Sequence, residues 1–440
     1  MNPELRRNLW LEITTHRLLA MPVILGLAFL ALAAVDRPNA AEHVAWLGLA
    51  GFTVLSMFWG ARLAGQSIID EITDKTWDWQ RLSTLGPWTM TWGKLFGATA
   101  FSWYGGIICL VVFLASPVAA KTGSPIKFGL ALILMAIMMH AAIIAAALHV
   151  SRNSAAAHRR SIGVLPLLLL FYVVPFAMAR AWGQKDSPSW YGLEIDGLNF
   201  LLASAAAFAA WAVIGAYRAM CQSLAVRTAP FVWLAFLIFV TAYAAGFGVA
   251  SNGQNDDAAS GRSLALAGWM TGVMGCYIML FTEATGPVAV RRILQKIRLQ
   301  QWQRALQELP CWPVAWLFAL VSAMLLAASG AAGTGSDEGA FAPIPWTLLV
   351  ARDIGIFLFF AAAAKPKRVV GTTLVYMLLL DWIVPALLGA MGFAQLAGLV
   401  FPLVPGDVWA QCASALAQAA LAVWLAWRRM QINFASYASS

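Results

Sequence analysis

Charge is scarce in this chain. Asp, Glu, Lys and Arg make up 11% of its 440 residues, against roughly 25% in soluble proteins. That scarcity excludes the two or three water-soluble domains that the length alone would suggest. No polar stretch is long enough to hold a separate soluble domain. Cysteine is sparse too. Cys109, Cys221, Cys276, Cys311 and Cys412 are scattered with no CxxC pair, which argues against a metal ribbon or a disulfide framework and for filler in apolar spans. No GxxxxGKS/T loop occurs, so the chain has no P-loop with which to hydrolyse ATP itself. HExxH, a Ser/His/Asp set and paired carboxylates within one span are missing as well, which leaves an intramembrane enzyme with little support.

Apolar sequence fills the space. The chain is 61% hydrophobic, and a span needs about 20 apolar residues. Twelve stretches qualify, at 18–35, 43–65, 93–118, 128–150, 161–180, 199–218, 229–250, 263–283, 313–330, 345–364, 369–391 and 408–427. The expectation is an all-α polytopic membrane protein of about 12 spans. The first stretch is followed by Val35-Asp36-Arg37-Pro38, unlike a signal cleavage site, and reads as a retained span. With a cytoplasmic N-terminus, 22 of the 29 Lys and Arg fall on the inner side, six fall outside and Arg352 lies within a span. This bias predicts that both termini are cytoplasmic. The net charge of +9 then reflects topology and anionic headgroups. Nucleic acid is not an expected partner, because the basic residues are spread over seven short segments.

The chain repeats itself. LASAAAFAAWAVIGAYRAM at 202–220 and CASALAQAALAVWLAWRRM at 412–430 are identical at eleven of nineteen positions, at an offset of 210. LLLLFYVVPFAM at 167–178 pairs with MLLLDWIVPALL at 377–388 at the same offset, placing Pro175 on Pro385. Trp79-Gln80-Arg81 recurs as Trp302-Gln303-Arg304, each followed by a proline and a tryptophan (Pro87 and Trp88; Pro310 and Trp312). Six spans per half make the halves parallel repeats, 1–218 and 219–440. Residues 2–16 carry Leu5, Leu9 and Ile13 at four-residue spacing and read as a short helix in the inner interface. The two longest cytoplasmic segments, 66–92 and 284–312, follow the second span of each half. The second is about 13 residues longer before the shared Trp-Gln-Arg. Its stretch 290–309 reads as one amphipathic helix ended by Pro310, with Ile293, Leu294 and Ile297 on the apolar side. Gly-, Pro- and aromatic-rich loops near 184–197 and 392–407 suit short re-entrant helices.

Residues 66–97, QSIIDEITDKTWDWQRLSTLGPWTMTWGKLFG, resemble the permeases of ABC-2-type exporters. The matching positions are Glu71, Thr76, Leu82 with Ser83, Pro87, and Gly93 with Lys94; Lys75 stands where that family usually has glycine. The resemblance implies that the segment forms a coupling helix that docks on a separate cytoplasmic ATPase, in two copies or two related subunits. ATP would be bound there and no cofactor by this chain. It also implies a bacterial cytoplasmic membrane and a fused pseudo-dimer. The docking residues it implies are Glu71, Thr76, Trp77, Trp79 and Arg81, with Glu283, Trp302 and Arg304 as the second copy's counterparts. Trp and Arg are good interface anchors, although tryptophan also gathers in the aromatic belt of any membrane protein.

Ionisable groups within spans complete the candidate set. Arg352 and Asp353 in the tenth span and Asp381 in the eleventh lie at similar depth, so Arg352 can pair with Asp381. Such charges line a substrate path or lock two helices together. Repeat alignment places Phe171 opposite Asp381, so either role is asymmetric. His140, mid-span in the fourth stretch, reads as an interhelical histidine before a proton relay. The function expected is the membrane subunit of an ATP-driven exporter. The competing readings are a secondary transporter of two six-span halves and an ATPase-coupled scaffold or sensor.

Overall fold

The computed structural model describes residues 2–35, 37–151, 189–226, 231–250, 257–283, 287–329, 343–363, 369–402 and 407–438. The expected span at 161–180, with Pro175, lies outside them. Two compact units divide the chain, Met1–Pro188 with Glu194–Thr228 and Ser189–Leu193 with Ala229–Ser440. The first unit holds α1 (Pro3–Glu12), α2 (Thr15–Val35) and α3 (Ala40–Phe52), which runs through a π-helical turn at Thr53–Trp59 into α4 (Gly60–Thr73). There follow α5 (Trp77–Leu82), α6 (Pro87–Trp92), a π turn at Gly93–Gly97, α7 (Ala100–Leu114), α8 (Pro117–Ala120), α9 (Pro125–Ser151) and α10 (Gly197–Ser223). The second unit holds α11 (Phe231–Ala250), α12 (Asp257–Thr282), α13 (Pro287–Arg298), α14 (Trp302–Glu308), α15 (Cys311–Ala328) and α16 (Pro343–Ala361). Its last helices are α17 (Val369–Leu378), continued by a π turn at Leu379–Ile383 into α18 (Val384–Ala390), then α19 (Ala394–Val400) and α20 (Val408–Ala438). The only strands among the described residues are the two-residue pair Ser189–Trp190 and Leu193–Glu194.

Ten of the described helices are long and apolar enough to cross a membrane, and the bent pair Pro87–Gly97 and Ala100–Leu114 forms a further candidate. The chain is therefore an all-α polytopic membrane protein. The continuous helix Ala40–Thr73 has 34 residues, a rise of about 51 Å. A bilayer core is about 30 Å thick, so the helix extends several turns beyond the hydrocarbon at one or both ends.

Packing explains the repeat. In the first unit the most extensive helix contact is α9 on α10, and in the second it is α16 on α20. Ala205, Ala209, Ala216 and Met220 are buried on α10; Ala415, Ala419, Ala426 and Met430 are buried on α20. These are the same positions at the offset of 210, and all four are identical. Two positions that differ, Ile214 against Trp424 and Ala206 against Leu416, are exposed. Lipid is as apolar as leucine, so spans associate through small residues that let backbones approach. Gly355 on α16 is one such point: a Cβ there would lie 2.8 Å from the Ala422 backbone.

The amphipathic stretch expected as one helix over 290–309 is two. Helix α13 stops at Arg298 and α14 starts at Trp302, because Gln300 turns left-handed (φ 55°). Gln300 N–H then donates to Ile297 O at 3.0 Å and Gln301 N–H to Lys296 O at 2.9 Å. This is a Schellman stop. Neither glycine nor proline marks residues 299–301, so the stop left no sign in the sequence. The first unit ends α4 the same way: Lys75 has φ 60°, Lys75 N–H donates to Ile72 O at 3.3 Å and Thr76 N–H to Glu71 O at 2.9 Å. The position where the exporter permeases carry glycine is thus the one whose backbone favours glycine. Left-handed backbone costs a side-chain-bearing residue roughly 1–2 kcal/mol, part of which glycine's greater unfolded freedom offsets. Lys75→Gly is expected to stabilise the protein by about 0.5–1 kcal/mol, read as a higher thermal midpoint in detergent; a lower midpoint contradicts it.

Candidate functional site

The strongest candidate is the end of the first unit where α1, α4, α5 and the Gly93–Gly97 turn meet. Asn2 caps α1, its Oδ1 accepting from Glu4 N–H at 3.0 Å and Leu5 N–H at 3.2 Å, and Pro3 occupies the first helical position. The helix lays Glu4 and Asn8, one turn apart, onto the Gly93–Gly97 turn. Gly93 makes this possible: a Cβ there would lie 2.3 Å from Glu4 Cγ and 3.0 Å from the Leu5 nitrogen. Asn8 Nδ2 donates to Gly93 O at 3.2 Å, and Asn2 Nδ2 to Thr89 O at 2.7 Å.

At the centre is Lys94, fully buried. Its ammonium pairs with Glu71 and lies 3.4 Å from Glu4 Oε1. Arg7 bridges the same carboxylates, at 3.0 Å from Glu4 and in direct contact with Glu71. Gln80 Nε2 donates to Glu71 Oε1 at 2.6 Å, and the Lys94 nitrogen sits 5.9 Å from the Trp77 ring centre. Two acids and two bases thus balance, with Lys94 and Glu4 buried, Glu71 partly buried and Arg7 at the exposed edge. They tie the N-terminal helix, the end of the second expected span, the short helix α5 and the start of the third expected span into one knot.

Helix α5 therefore has two faces. Trp77 and Gln80 face inward, against Lys94 and Glu71. Trp79 is 77% and Leu82 82% exposed. Arg81 is exposed beside Asp78 at 3.7 Å. Trp88 is also exposed, edge-on to Trp92 at 5.3 Å. A cleft of about 400 Å³ runs between α1 and α5, lined by Pro3, Glu4, Arg7, Thr76, Trp79, Gln80, Ser83 and Leu85. Of the residues expected to dock, Trp79 and Arg81 stand on the outer face. Thr76 is exposed, with its hydroxyl bound to Glu71 O at 3.1 Å. Glu71 and Trp77 lie in the knot. The sequence motif marked Glu71 and Lys94 but not their partners Glu4, Arg7 and Asn8. The i, i+3, i+4 polar stripe on α1 was the available signal, and the apolar Leu5, Leu9 and Ile13 masked it.

The second unit makes a simpler tie at the corresponding place. Glu283 Oε2 accepts from the backbone N–H of Cys311, 2.6 Å away at the start of α15. A carboxylate at a helix N-terminus is favourable, and it again joins the second-span helix to the third. Trp302, Arg304 and Leu306 are exposed on α14. Trp302 follows the left-handed Gln300 by two residues, as Trp77 follows Lys75. By backbone position Trp302 therefore matches Trp77, two residues away from the register of the Trp-Gln-Arg identity; by exposure it matches Trp79.

The span charges do come together. Arg352 pairs with Asp381, reaches Asp353 Oδ1 at 2.8 Å, and donates to Gln418 Oε1 at 3.0 Å. Tyr277 O–H donates to Asp353 Oδ2 at 2.6 Å. Gln418 Nε2 continues to Leu399 O at 3.0 Å. One guanidinium thereby joins α12, α16, the Leu379–Ile383 turn, α20 and α19. Gln418 was legible in the repeat, where the first half has Phe208 as it has Phe171 opposite Asp381. Tyr277 carried no signal. His140, fully buried, donates from Nε2 to Ser56 O at 2.7 Å and stands edge-on to Trp103. It links the second and fourth spans of its unit, as Tyr277 and Asp353 do in the other. Among the described residues no three His, Cys, Asp or Glu side chains converge to hold a metal ion.

No protein-family model, curated protein or solved structure matches this chain.

Removing one member of a buried ionic group leaves the others uncompensated. Lys94→Met is expected to cost about 3 kcal/mol, seen as a lower thermal midpoint in detergent, and Glu71→Gln in the same chain to recover part of it. An unchanged midpoint overturns the knot. In the second unit, Arg352→Met leaves two carboxylates facing each other, whereas Asp381→Asn leaves the Arg352–Asp353 pair whole. Arg352→Met is therefore expected to destabilise the fold by about 3–5 kcal/mol and Asp381→Asn by clearly less. Equal losses, or loss of transport by Asp381→Asn with stability unchanged, point to a path instead of a lock.

Proposed function

We propose that the chain is the membrane subunit of an ATP-driven exporter of the ABC-2 type, with hydrolysis supplied by separate cytoplasmic ATPase subunits. The observation that carries this reading is the outer face of α5. Trp79 and Leu82 are almost fully exposed on a short helix outside the spanning segments. That face is left open by the rest of the chain, and aromatic side chains beside an arginine make strong interface anchors. The inner face of the same helix is tied to Glu71 and Lys94 at the ends of two spans. A force applied to α5 is thus passed to α4 and α7 without slack, which is the requirement for converting ATPase closure into helix movement. Helix α14, with Trp302 and Arg304 exposed, offers a second and unequal contact.

In this reading twelve spans form two parallel six-helix halves with both termini cytoplasmic, in a bacterial cytoplasmic membrane. The ion-paired groups of the second unit serve as a lock, and the exported substrate meets apolar walls.

The test is reconstitution with the ATPase. Trp79→Ala with Leu82→Ala is expected to weaken ATPase binding about 30-fold, the effect of losing a hot spot of roughly 2 kcal/mol. The thermal midpoint of the membrane subunit should stay unchanged, as for other exposed substitutions. Unchanged affinity, or transport driven by an ion gradient with no ATPase present, overturns the proposal.

A further inference from the structure

Helix α13 is what the second unit has and the first lacks. In the first unit three residues, 74–76, lead from the end of α4 to Trp77 at the start of α5; in the second, residues 283–301 separate the end of α12 from Trp302. The additional length is α13, and it is the most segregated helix among those described. At about 100° per residue, Val290, Ile293, Leu294 and Ile297 fall within an arc of about 100°. Arg291, Arg292, Lys296 and Arg298 occupy the opposite side. None of residues 289–298 is buried. The apolar arc is only half covered, by α14 and the end of α20. Arg292 and Arg298 are exposed. Four residues, 283–286, join the helix to the end of α12, so α13 begins within about 18 Å of a spanning helix.

We propose that α13 lies on the membrane surface and binds anionic phospholipid. Its apolar arc dips into the boundary between headgroups and acyl chains, and its arginines meet the lipid phosphates. The chemistry is complementary on both faces: a basic amphipathic helix held beside a span by a four-residue link meets lipid headgroups before any soluble partner. Lys296 also pairs with Glu308 on α14, so lipid bound along α13 fixes the position of Trp302. This proposal does not depend on an ATPase.

The experiment is hydrogen exchange on the full chain in nanodiscs of pure phosphatidylcholine and in discs containing phosphatidylglycerol. Backbone amides of residues 290–298 are expected to exchange about tenfold more slowly in the anionic discs. Arg292→Glu with Arg298→Glu should abolish the difference, while exchange in α15 and α16 reports that the fold is kept. Equal exchange of the natural chain in the two discs overturns the proposal, and that comparison needs no variant. Slowing that survives the charge reversal also overturns it. So does slowing that appears only after an ATPase is added, which would assign the helix to a protein partner.

Discussion

Close approach of alanine-lined helices is the constraint on which each unit rests. Two spans in lipid gain no hydrophobic energy from meeting, since tails and side chains are equally apolar. What remains is dispersion between backbones that come near enough, and a few polar bonds that lipid cannot replace. Ala205, Ala209 and Ala216, and their counterparts Ala415, Ala419 and Ala426, meet the first need. His140 to Ser56 O, and Tyr277 to Asp353, meet the second. Every larger feature is built on bundles held this way. The expected cytoplasmic end of the first unit adds a different material. There Lys94 and Glu4 are buried, Glu71 is partly buried beside them, and Arg7 closes the group from its exposed edge; a buried charge keeps its partners tightly. The result is a joint between α1, α5 and two spans, which the proposed exporter reading uses to turn a push on α5 into a shift of spans.

The two units divide their polar groups differently. The first concentrates charge in the knot beside α5 and buries one histidine, His140, within its described spans. The second has the Glu283 contact at the corresponding place, and a cation shared among several helices within its spans. Asp381 and Gln418 replace the phenylalanines of the other half. The segments after the second expected span of each half are unequal as well. Helix α5 hangs directly on two spans, whereas α14 is reached through α13.

Much of this is legible in the sequence. Span positions follow from apolar length, because a helix must satisfy its own backbone in lipid. The Glu71 and Lys94 motif and the Arg352 and Asp381 depths pointed to residues that do meet. Other features were not legible. The stop at Gln300 has no glycine or proline to announce it, since a left-handed turn is imposed there by the hydrogen bonds it completes. The polar face of α1 was hidden by apolar residues at the same spacing. The Trp-Gln-Arg identity suggested one register and the backbone adopts another, because three matching letters weigh less than the position of a helix start.

The sequence by itself determined that the chain is a helical membrane protein with a repeated plan. Composition and apolar run length decide this through the cost of unpaired backbone in lipid, whatever the helices later touch. Only the tertiary structure decided which identities in the repeat are contacts and which ionisable groups are partners. It also decided which face of α5 is left open. Those depend on distances between segments far apart in the chain, as with Glu4 and Lys94 or Arg352 and Gln418. A linear pattern records a residue's type and spacing. Burial and pairing arise when another helix arrives.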